Sequence, residues 1–302
     1  MSEGPALPAG RCNHAGGVVG GWPVVVGGTA WSADRKTKHW LKDSLVFSDG
    51  KWSPGPPLPH AVSEPMFASD NSGVYIAGGR RGAAETNDAV YRLSNVGGQL
   101  GWQTLARLPV TRTAGAAGII DGRFIVTCGS TNDVPTNRTW ALDITSGDAT
   151  WRDCAPLPGP PRMYPAVAIC GKFLYLFGGM RPTEEPAQSG MEVFKDVYRY
   201  DLKADVWERL PDLPTRGYCW AASAIDDESV VLAGRADGAI HDDVWHVNLS
   251  DMRVQGVERL TLRSTCAPLV RIDPNTWWLI GGEPDSLKTR TEKVTVIKRL
   301  GQ

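Results

Sequence analysis

Leu174-Tyr-Leu-Phe-Gly-Gly179 ends an apolar, strand-forming run on two glycines, and the same pattern returns along the chain at nearly constant spacing. Equivalent small-residue pairs begin at Gly27 (VVVGG), Gly78 (VYIAGG), Cys128 (FIVTCG), Gly178, Ala233 (VVLAG) and Gly281 (WWLIGG), at intervals of 51, 50, 50, 55 and 48 residues. A period near 50 falls in the range of β-propeller blades, in which each repeat is one four-stranded sheet that buries its faces only against its neighbours. Six such repeats fill the 302 residues.

Two further markers follow each pair in fixed order. A polar residue leads a short alternating strand in Asp43-Ser-Leu-Val, Asp88-Ala-Val-Tyr, Arg138-Thr-Trp-Ala, Asp196-Val-Tyr-Arg and Asp243-Val-Trp-His. Then Trp52, Trp102, Trp151 and Trp207 each stand six residues before a Leu-Pro, at 58, 108, 157 and 213. Their regular place in the repeat assigns these indoles to packing between blades. The fifth repeat is degenerate, with Val254 at the Trp position and Leu260-Thr for Leu-Pro. The sixth ends after its third strand, Lys293 to Leu300, whereas Leu7-Pro8 has only Met1 at the Trp position before it. Residues 1–8 are therefore expected to supply the last blade's fourth strand and cover its exposed edge. The expectation is an all-β, six-bladed propeller of four-stranded antiparallel blades, a single domain over 1–302 with no long helix.

Composition narrows the function. Lys and Arg total 32 against 33 Asp and Glu, so no global basic field exists for nucleic acid or an anionic membrane surface. Cysteines 12, 128, 154, 170, 219 and 266 form no C-x-x-C pair and imply neither a disulfide framework nor a zinc site. Six free thiols fit a reducing compartment. The N-terminus, Met-Ser-Glu-Gly-Pro, lacks the features of a signal peptide, which gives a cytoplasmic expectation, or a periplasmic or secreted one if a leader has been removed. His14, His39, His60, His241 and His246 show no metal-ligand spacing, and no cofactor or metal is called for.

Arginines carry the clearest charge pattern. Arg11, Arg112 and Arg162 precede their small pairs by 16 residues, and Arg216 and Arg263 precede theirs by 17 and 18. Repeat symmetry puts the five at the crossing from one blade to the next, as a ring at one channel mouth, with a gap at Val62, Ser63 and Glu64. Guanidiniums converging on a funnel suit a carboxylate or phosphate. The competing reading is that each arginine satisfies backbone carbonyls between blades. The loop from Gly179 through Pro182 to Glu192 is a candidate lid, and Trp31 and Trp40 are candidates for a sugar-stacking surface.

The small pair closing strand two, the Asp-led third strand and the Trp before Leu-Pro together resemble the Kelch family of β-propellers. Gly27-Gly-Thr-Ala-Trp31, Lys42-Asp-Ser-Leu-Val46 and Gly281-Gly-Glu-Pro284 are similar to the bacterial N-acetylneuraminate epimerases, the sialic acid mutarotases, and their cyclically permuted relatives. That family carries Gly-Gly-Glu with an Arg six residues on. Here Glu283 matches directly, and Arg290 stands seven residues on. The resemblance implies an isomerase in which Glu283 is the general acid/base and Arg290 holds a sugar carboxylate or stabilises developing charge.

Three functions fit this reading. One is a mutarotase acting on N-acetylneuraminate or a related anionic sugar, with Glu283 and Arg290 catalytic and Arg11, Arg112, Arg162, Arg216, Arg263 and Glu64 binding substrate. The others are a non-catalytic module for an acidic peptide, as in eukaryotic Kelch adaptors, and a carbohydrate-binding protein without turnover. A propeller hosts many activities, so the site decides among them.

Overall fold

In the computed structural model, which describes residues 1–147, 149–183 and 190–299, six four-stranded antiparallel sheets follow one another along the chain. Blade 1 comprises Ala15–Val19, Trp22–Val26, Ser44–Ser48 and Lys51–Pro54, and blade 2 Met66–Asp70, Gly73–Ala77, Val90–Val96 and Gln99–Thr104. Blade 3 comprises Ala116–Ile120, Arg123–Thr127, Thr139–Asp143 and Trp151–Cys154, and blade 4 Ala166–Cys170, Phe173–Pro182, Met191–Asp201 and Val206–Leu210. Blade 5 is Ala221–Asp226, Ser229–Ala233, Asp243–Asn248 and Val254–Arg259. Blade 6 takes Leu269–Asp273, Thr276–Ile280 and Val294–Lys298 from the end of the chain and Ser2–Glu3 from its start, with Ser2 opposite Val296. The first strand of each blade touches the first strands of both neighbours, and the contact between blades 6 and 1 closes the ring into a six-bladed β-propeller.

Where the six innermost strands converge, small residues let neighbours approach: Gly16, Gly17 and Gly118 line the central cavity, and a Cβ on them would strike Pro268, Val74 and Ile169 of the adjacent blades. The core lies away from the axis, in the six wedges between consecutive blades. Val24, Ile76 and Leu93 fill the wedge of blades 1 and 2, and Leu7, Val25, Trp52 and Ile280 the wedge where blade 6 meets blade 1. Because both faces of a blade are wedge faces, second strands lose the usual alternation, and Val24, Val25 and Val26 are all buried. The predicted tryptophans knit the wedges in one direction round the ring. Trp52, Trp102, Trp151 and Trp207 donate their indole N–H groups to the carbonyls of Pro5, Pro56, Ala106 and Ala155 in the preceding Leu-Pro segment, at 2.8, 2.8, 2.9 and 2.9 Å.

The glycine pairs mark where successive blades touch backbone to backbone. Gly178 has φ 54°, and a Cβ there would stand 2.2 Å from the Gly217 carbonyl oxygen of the next blade crossing. That same oxygen accepts the N–H of Gly179 at 2.9 Å. The turn leaves the first glycine's own carbonyl buried, and a buried carbonyl requires a donor. Arg11 serves Gly27 (3.2 Å), Asn87 serves Gly78 (3.0 Å), Arg162 serves Gly178 (2.9 Å) and the Ser264 hydroxyl serves Gly281 (2.6 Å).

This use of the arginines corrects the expected guanidinium ring. Arg11, Arg112 and Arg162 are buried between blades and are absent from the cavity lining. Arg11 and Arg162 are held by the strand-leading acids Asp43 and Asp196, each through a two-pronged contact. Arg112, whose repeat has Arg138 where an acid would stand, lies over the Trp140 ring at 3.8 Å and donates to the Arg138 carbonyl. Burial pushes its guanidinium down to about 10. Arg216 and Arg263 are exposed and fall one residue short of the arginine position, which Gly217 and Ser264 occupy. In blade 5 the turn glycine is Gly234, one residue later than the sequence assigns it, with φ 64° and a Cβ that would strike the Ser264 carbonyl. Counted from it, Arg216 stands 18 residues back, as Arg263 does from Gly281, and the two residues beyond 16 are the missed position and a bulge, between Ala224 and Asp226 or between Arg271 and Asp273. The Gly179–Glu192 segment also differs from expectation, since pairing of Gly179 with Phe194 through Pro182 with Met191 prolongs the hairpin, while residues 184–189 of that candidate lid lie outside the described residues.

Two measurements test these roles. Arg162 is wholly covered, so Asp196→Ala strands a buried charge and should cost about 3–5 kcal/mol in urea unfolding, whereas Arg107→Ala, which breaks the exposed pair with Asp88, should cost under about 1 kcal/mol. His14 is buried, and desolvation followed by the Arg11 charge pulls its imidazole well below the ordinary value. Below about pH 6.5 the unfolded chain then binds a proton that the folded chain refuses, so His14 contributes a loss of about 1.4 kcal/mol per pH unit on acidification. His14→Gln should flatten the acid side of the stability profile by that one proton.

Candidate functional site

One end of the axis is organised by six residues at one repeat position, two residues before the innermost strand in blades 1 to 5 and three before it in blade 6. Asn13, Glu64, Ala114, Tyr164, Cys219 and Cys266 all have left-handed backbone, with φ of 55, 54, 56, 52, 53 and 54°. In this conformation five of the six N–H groups point tangentially at the previous blade. Glu64 donates to the Asn13 carbonyl (2.9 Å), Ala114 to Glu64 (3.0 Å), Tyr164 to Ala114 (2.7 Å), Cys219 to Tyr164 (3.0 Å) and Asn13 to Cys266 (2.9 Å). A left-handed non-glycine residue is uncommon, and a run of them round one axis is the kind of stored strain found at functional sites. All six residues of this belt help to line a central cavity of about 730 Å³.

Next to the belt, the residue after each turn pair, which in blade 5 is Gly234-Arg235, forms a bridge with the residue before the belt position. Cys12 meets Thr29, Ser63 meets Arg80, Tyr218 meets Ala236 and Thr265 meets Glu283. Glu283 and Arg80 thus stand at equivalent places in blades 6 and 2, each next to an opposite charge. Arg290 Nη1 donates to Glu283 Oε2 at 2.6 Å, with the two side chains 5% and 17% exposed. Arg80 Nε donates to Glu64 Oε2 at 3.1 Å, and the Thr113 hydroxyl adds a contact at 3.3 Å. Two largely buried carboxylate–guanidinium pairs therefore lie beside the belt, one on blade 6 and one on blade 2 near its junction with blade 3, and of the four residues Glu64 reaches the lining of the central cavity.

Arg290 is fixed from behind. Its Nη1 also reaches the Lys288 and Thr289 carbonyls, its guanidinium lies 5.9 Å from the Trp31 ring, and its Nε is buried without a partner among the described residues. The loop carrying it is clamped by the blade 1 hairpin, in which Trp31 Nε1 donates to the Lys288 carbonyl at 2.8 Å and Arg35 Nη2 to that of Leu287 at 2.6 Å. Trp31, read from sequence as a sugar-stacking candidate, has its polar edge committed to this loop. Trp40 packs under Lys38. His241 and His246 take separate carboxylates, Asp237 and Glu258.

Two phenols bridge the interval between the pairs. The Tyr164 and Tyr218 rings lie 6.5 Å apart. Burial, reinforced by Glu64, drives Tyr164 well above the ordinary phenol value, and burial with the nearby Cys219, Cys266 and Glu283 raises Tyr218 to about 12. Both remain protonated donors at neutral pH.

Of the residues singled out from sequence, the fold brings Glu283 and Arg290 into direct contact and puts Glu64 at the cavity lining, and it commits Arg11, Arg112 and Arg162 to the wedges. Arg80, Thr113, Tyr164 and Tyr218 were not anticipated. A signal for Arg80 exists in the repeat, since it follows Gly78-Gly79 as Glu283 follows Gly281-Gly282. Tyr164 likewise shares the repeat position of Glu64.

The chain is similar to a defined group of proteins. It is 28% identical over 148 residues to the N-acetylneuraminate epimerase of Haemophilus influenzae (strain PittEE), an alignment covering 49% of this chain and 38% of that protein. Against the N-acetylneuraminate epimerase of Yersinia enterocolitica serotype O:8 / biotype 1B it is 30% identical, over 45% of this chain and 33% of the relative. Against that of Vibrio cholerae serotype O1 it is 31% identical, over 31% and 24%. The matched stretch is thus well under two thirds of each relative's own length. The family profile described as N-acetylneuraminate epimerase matches residues 105–261, from the end of blade 2 to the end of blade 5, which leaves both carboxylate–guanidinium pairs outside the matched span. With slightly more than half of its residues matched by that profile, the chain belongs to the N-acetylneuraminate epimerase family.

Proposed function

We propose that the protein is a mutarotase that interconverts the anomers of N-acetylneuraminate or a closely related anionic sugar at the channel mouth between blades 6 and 2. The observation that carries this reading is the Glu283–Arg290 pair, largely buried at 2.6 Å and held on a clamped loop beside the belt. The family's name supplies the substrate class. Opening a cyclic hemiketal requires a base for the anomeric hydroxyl proton and an acid for the ring oxygen. Glu283 takes the first proton, the C–O bond to the ring oxygen breaks, and the ring oxygen receives a proton from the Tyr218 phenol or from Glu283 itself. Rotation of the open-chain keto acid and the reverse transfers then give the other anomer. Arg290 faces the charge that develops during transfer and, with Arg80, supplies cationic contacts for the sugar carboxylate. Glu64 accepts sugar hydroxyls while Arg80 and Thr113 hold it in place. Arg11, Arg112 and Arg162 have no part in this scheme, because their guanidiniums are consumed by the blades.

Time-resolved proton NMR of freshly released α-N-acetylneuraminate tests the proposal. The protein should accelerate anomerisation, Glu283→Gln should slow the catalysed rate by about 100-fold or more, and Arg290→Lys should also reduce it. Glu64→Gln should raise KM several-fold with a smaller change in kcat. Wild-type rates from Glu283→Gln would remove that residue from the chemistry. Ligand line-broadening without acceleration would make the protein a sugar-binding propeller.

A further inference from the structure

The belt of backbone hydrogen bonds is continuous except between blades 5 and 6. There the Cys219 carbonyl receives the Thr265 hydroxyl at 3.4 Å, and the side chains of the two belt residues meet, with Cys266 Sγ donating to Cys219 Sγ at 3.1 Å. These two cysteines are partly exposed, whereas Cys12, Cys128, Cys154 and Cys170 are buried. Both line the central cavity, so a small solute in the channel can reach them. The roles of the two sulfurs also differ. Cys266 is the donor, and its contact with Cys219, together with burial, holds it protonated, while Cys219 is the acceptor. A disulfide needs the sulfurs about 1 Å closer than they stand, a movement within reach of side-chain rotation.

We propose that Cys219 and Cys266 form a redox site, independent of the sugar chemistry, that a small peroxide entering the channel converts into a reversible disulfide joining blades 5 and 6. The Cys219 sulfur attacks one peroxide oxygen, the O–O bond breaks, and the Cys219 thiol proton passes to the departing hydroxide, which leaves a sulfenic acid at Cys219 and one water. Cys266 then attacks that sulfur, the S–O bond breaks, and a second water leaves. The sum is two thiols and one hydrogen peroxide giving one disulfide and two waters, and a dithiol reductant reverses it. The covalent link spans the one junction of the ring that lacks a backbone bond between its belt residues. It also falls next to Thr265, whose backbone exchanges hydrogen bonds with Glu283 at 3.1 and 2.9 Å.

The test is treatment of the whole protein with hydrogen peroxide, followed by alkylation, trypsin digestion and mass spectrometry. The expected result is a loss of about 2 Da, reversed by dithiothreitol, with the tryptic peptides 217–235 and 264–271 joined through Cys219 and Cys266. The oxidised protein should melt about 5 °C higher than the reduced one. Cys266→Ser should accumulate a dimedone-reactive sulfenic acid at Cys219, and Cys219→Ser should show neither the mass loss nor a dimedone adduct. The proposal is overturned if all six thiols remain alkylatable after peroxide, if the bond maps to Cys12, or if Cys219 or Cys266 gains oxygen without cross-linking. None of these outcomes depends on whether the protein acts on a sugar.

Discussion

Everything in this propeller is arranged around a tangential backbone hydrogen bond at the channel mouth, where a left-handed residue in one blade donates its N–H to the corresponding carbonyl of the blade before it. The bond is made by main chain, so the side chain at that position is free to vary, and Asn13, Glu64, Ala114, Tyr164, Cys219 and Cys266 show how far. Left-handed conformation costs a non-glycine residue of the order of 1 kcal/mol. The wedges on either side hold the strand directions so firmly that the local preference is overruled. A scaffold of this kind presents five kinds of side chain at one repeat position without altering a single blade.

Charge in the molecule divides by the same geometry. Arg11 and Arg162 sit where a turn leaves a carbonyl without a donor, and each is covered, bound to an aspartate and spent. Blade 2 has valine at this position and meets the same need with Asn87, and blade 6 meets it with Ser264, so the requirement belongs to the carbonyl and not to the cation. Arg80 and Arg290 serve no such carbonyl and pair instead with Glu64, at the belt position, and with Glu283, bridged to the residue before it. In a site with restricted solvent, such a pair is preorganised for charge that appears during proton transfer. The burial that keeps Tyr164 and Tyr218 protonated places two neutral donors between the pairs.

The blade 1 hairpin shows how a remote element sets the geometry of the candidate site. Thr29–Trp31 and Lys38–Trp40 pair with each other, and the hairpin spends Trp31 and Arg35 on the carbonyls of the loop that ends at Arg290. Blade 6 is itself completed by the start of the chain, whose Pro5 carbonyl receives Trp52 from blade 1. Ring closure and the position of Arg290 are therefore set in the same wedge, between the first and last blades.

Period, strand order and the closing N-terminal strand were all legible in the sequence, because a repeat that buries its faces only against copies of itself must place the same residue types at the same spacing. Gly178-Gly179 recurs because a side chain there would strike the next blade, and Trp207 recurs because its indole reaches the blade before. A short motif drew attention to Glu283 and Arg290, and the fold puts the two in contact despite the extra residue between them. What the sequence could not determine was the direction in which a repeated residue points. Arg11, Arg112 and Arg162 recur as regularly as a ligand-binding ring would, and only the packed wedges reveal that they serve the blades. Bulges in blades 5 and 6 displaced the count by one residue and made Arg216 and Arg263 look equivalent to them. The meeting of Glu64 with Arg80 and of Cys219 with Cys266 lies further still from any sequence pattern, since these contacts join different segments and exist only once the ring has brought the blade crossings together round one axis.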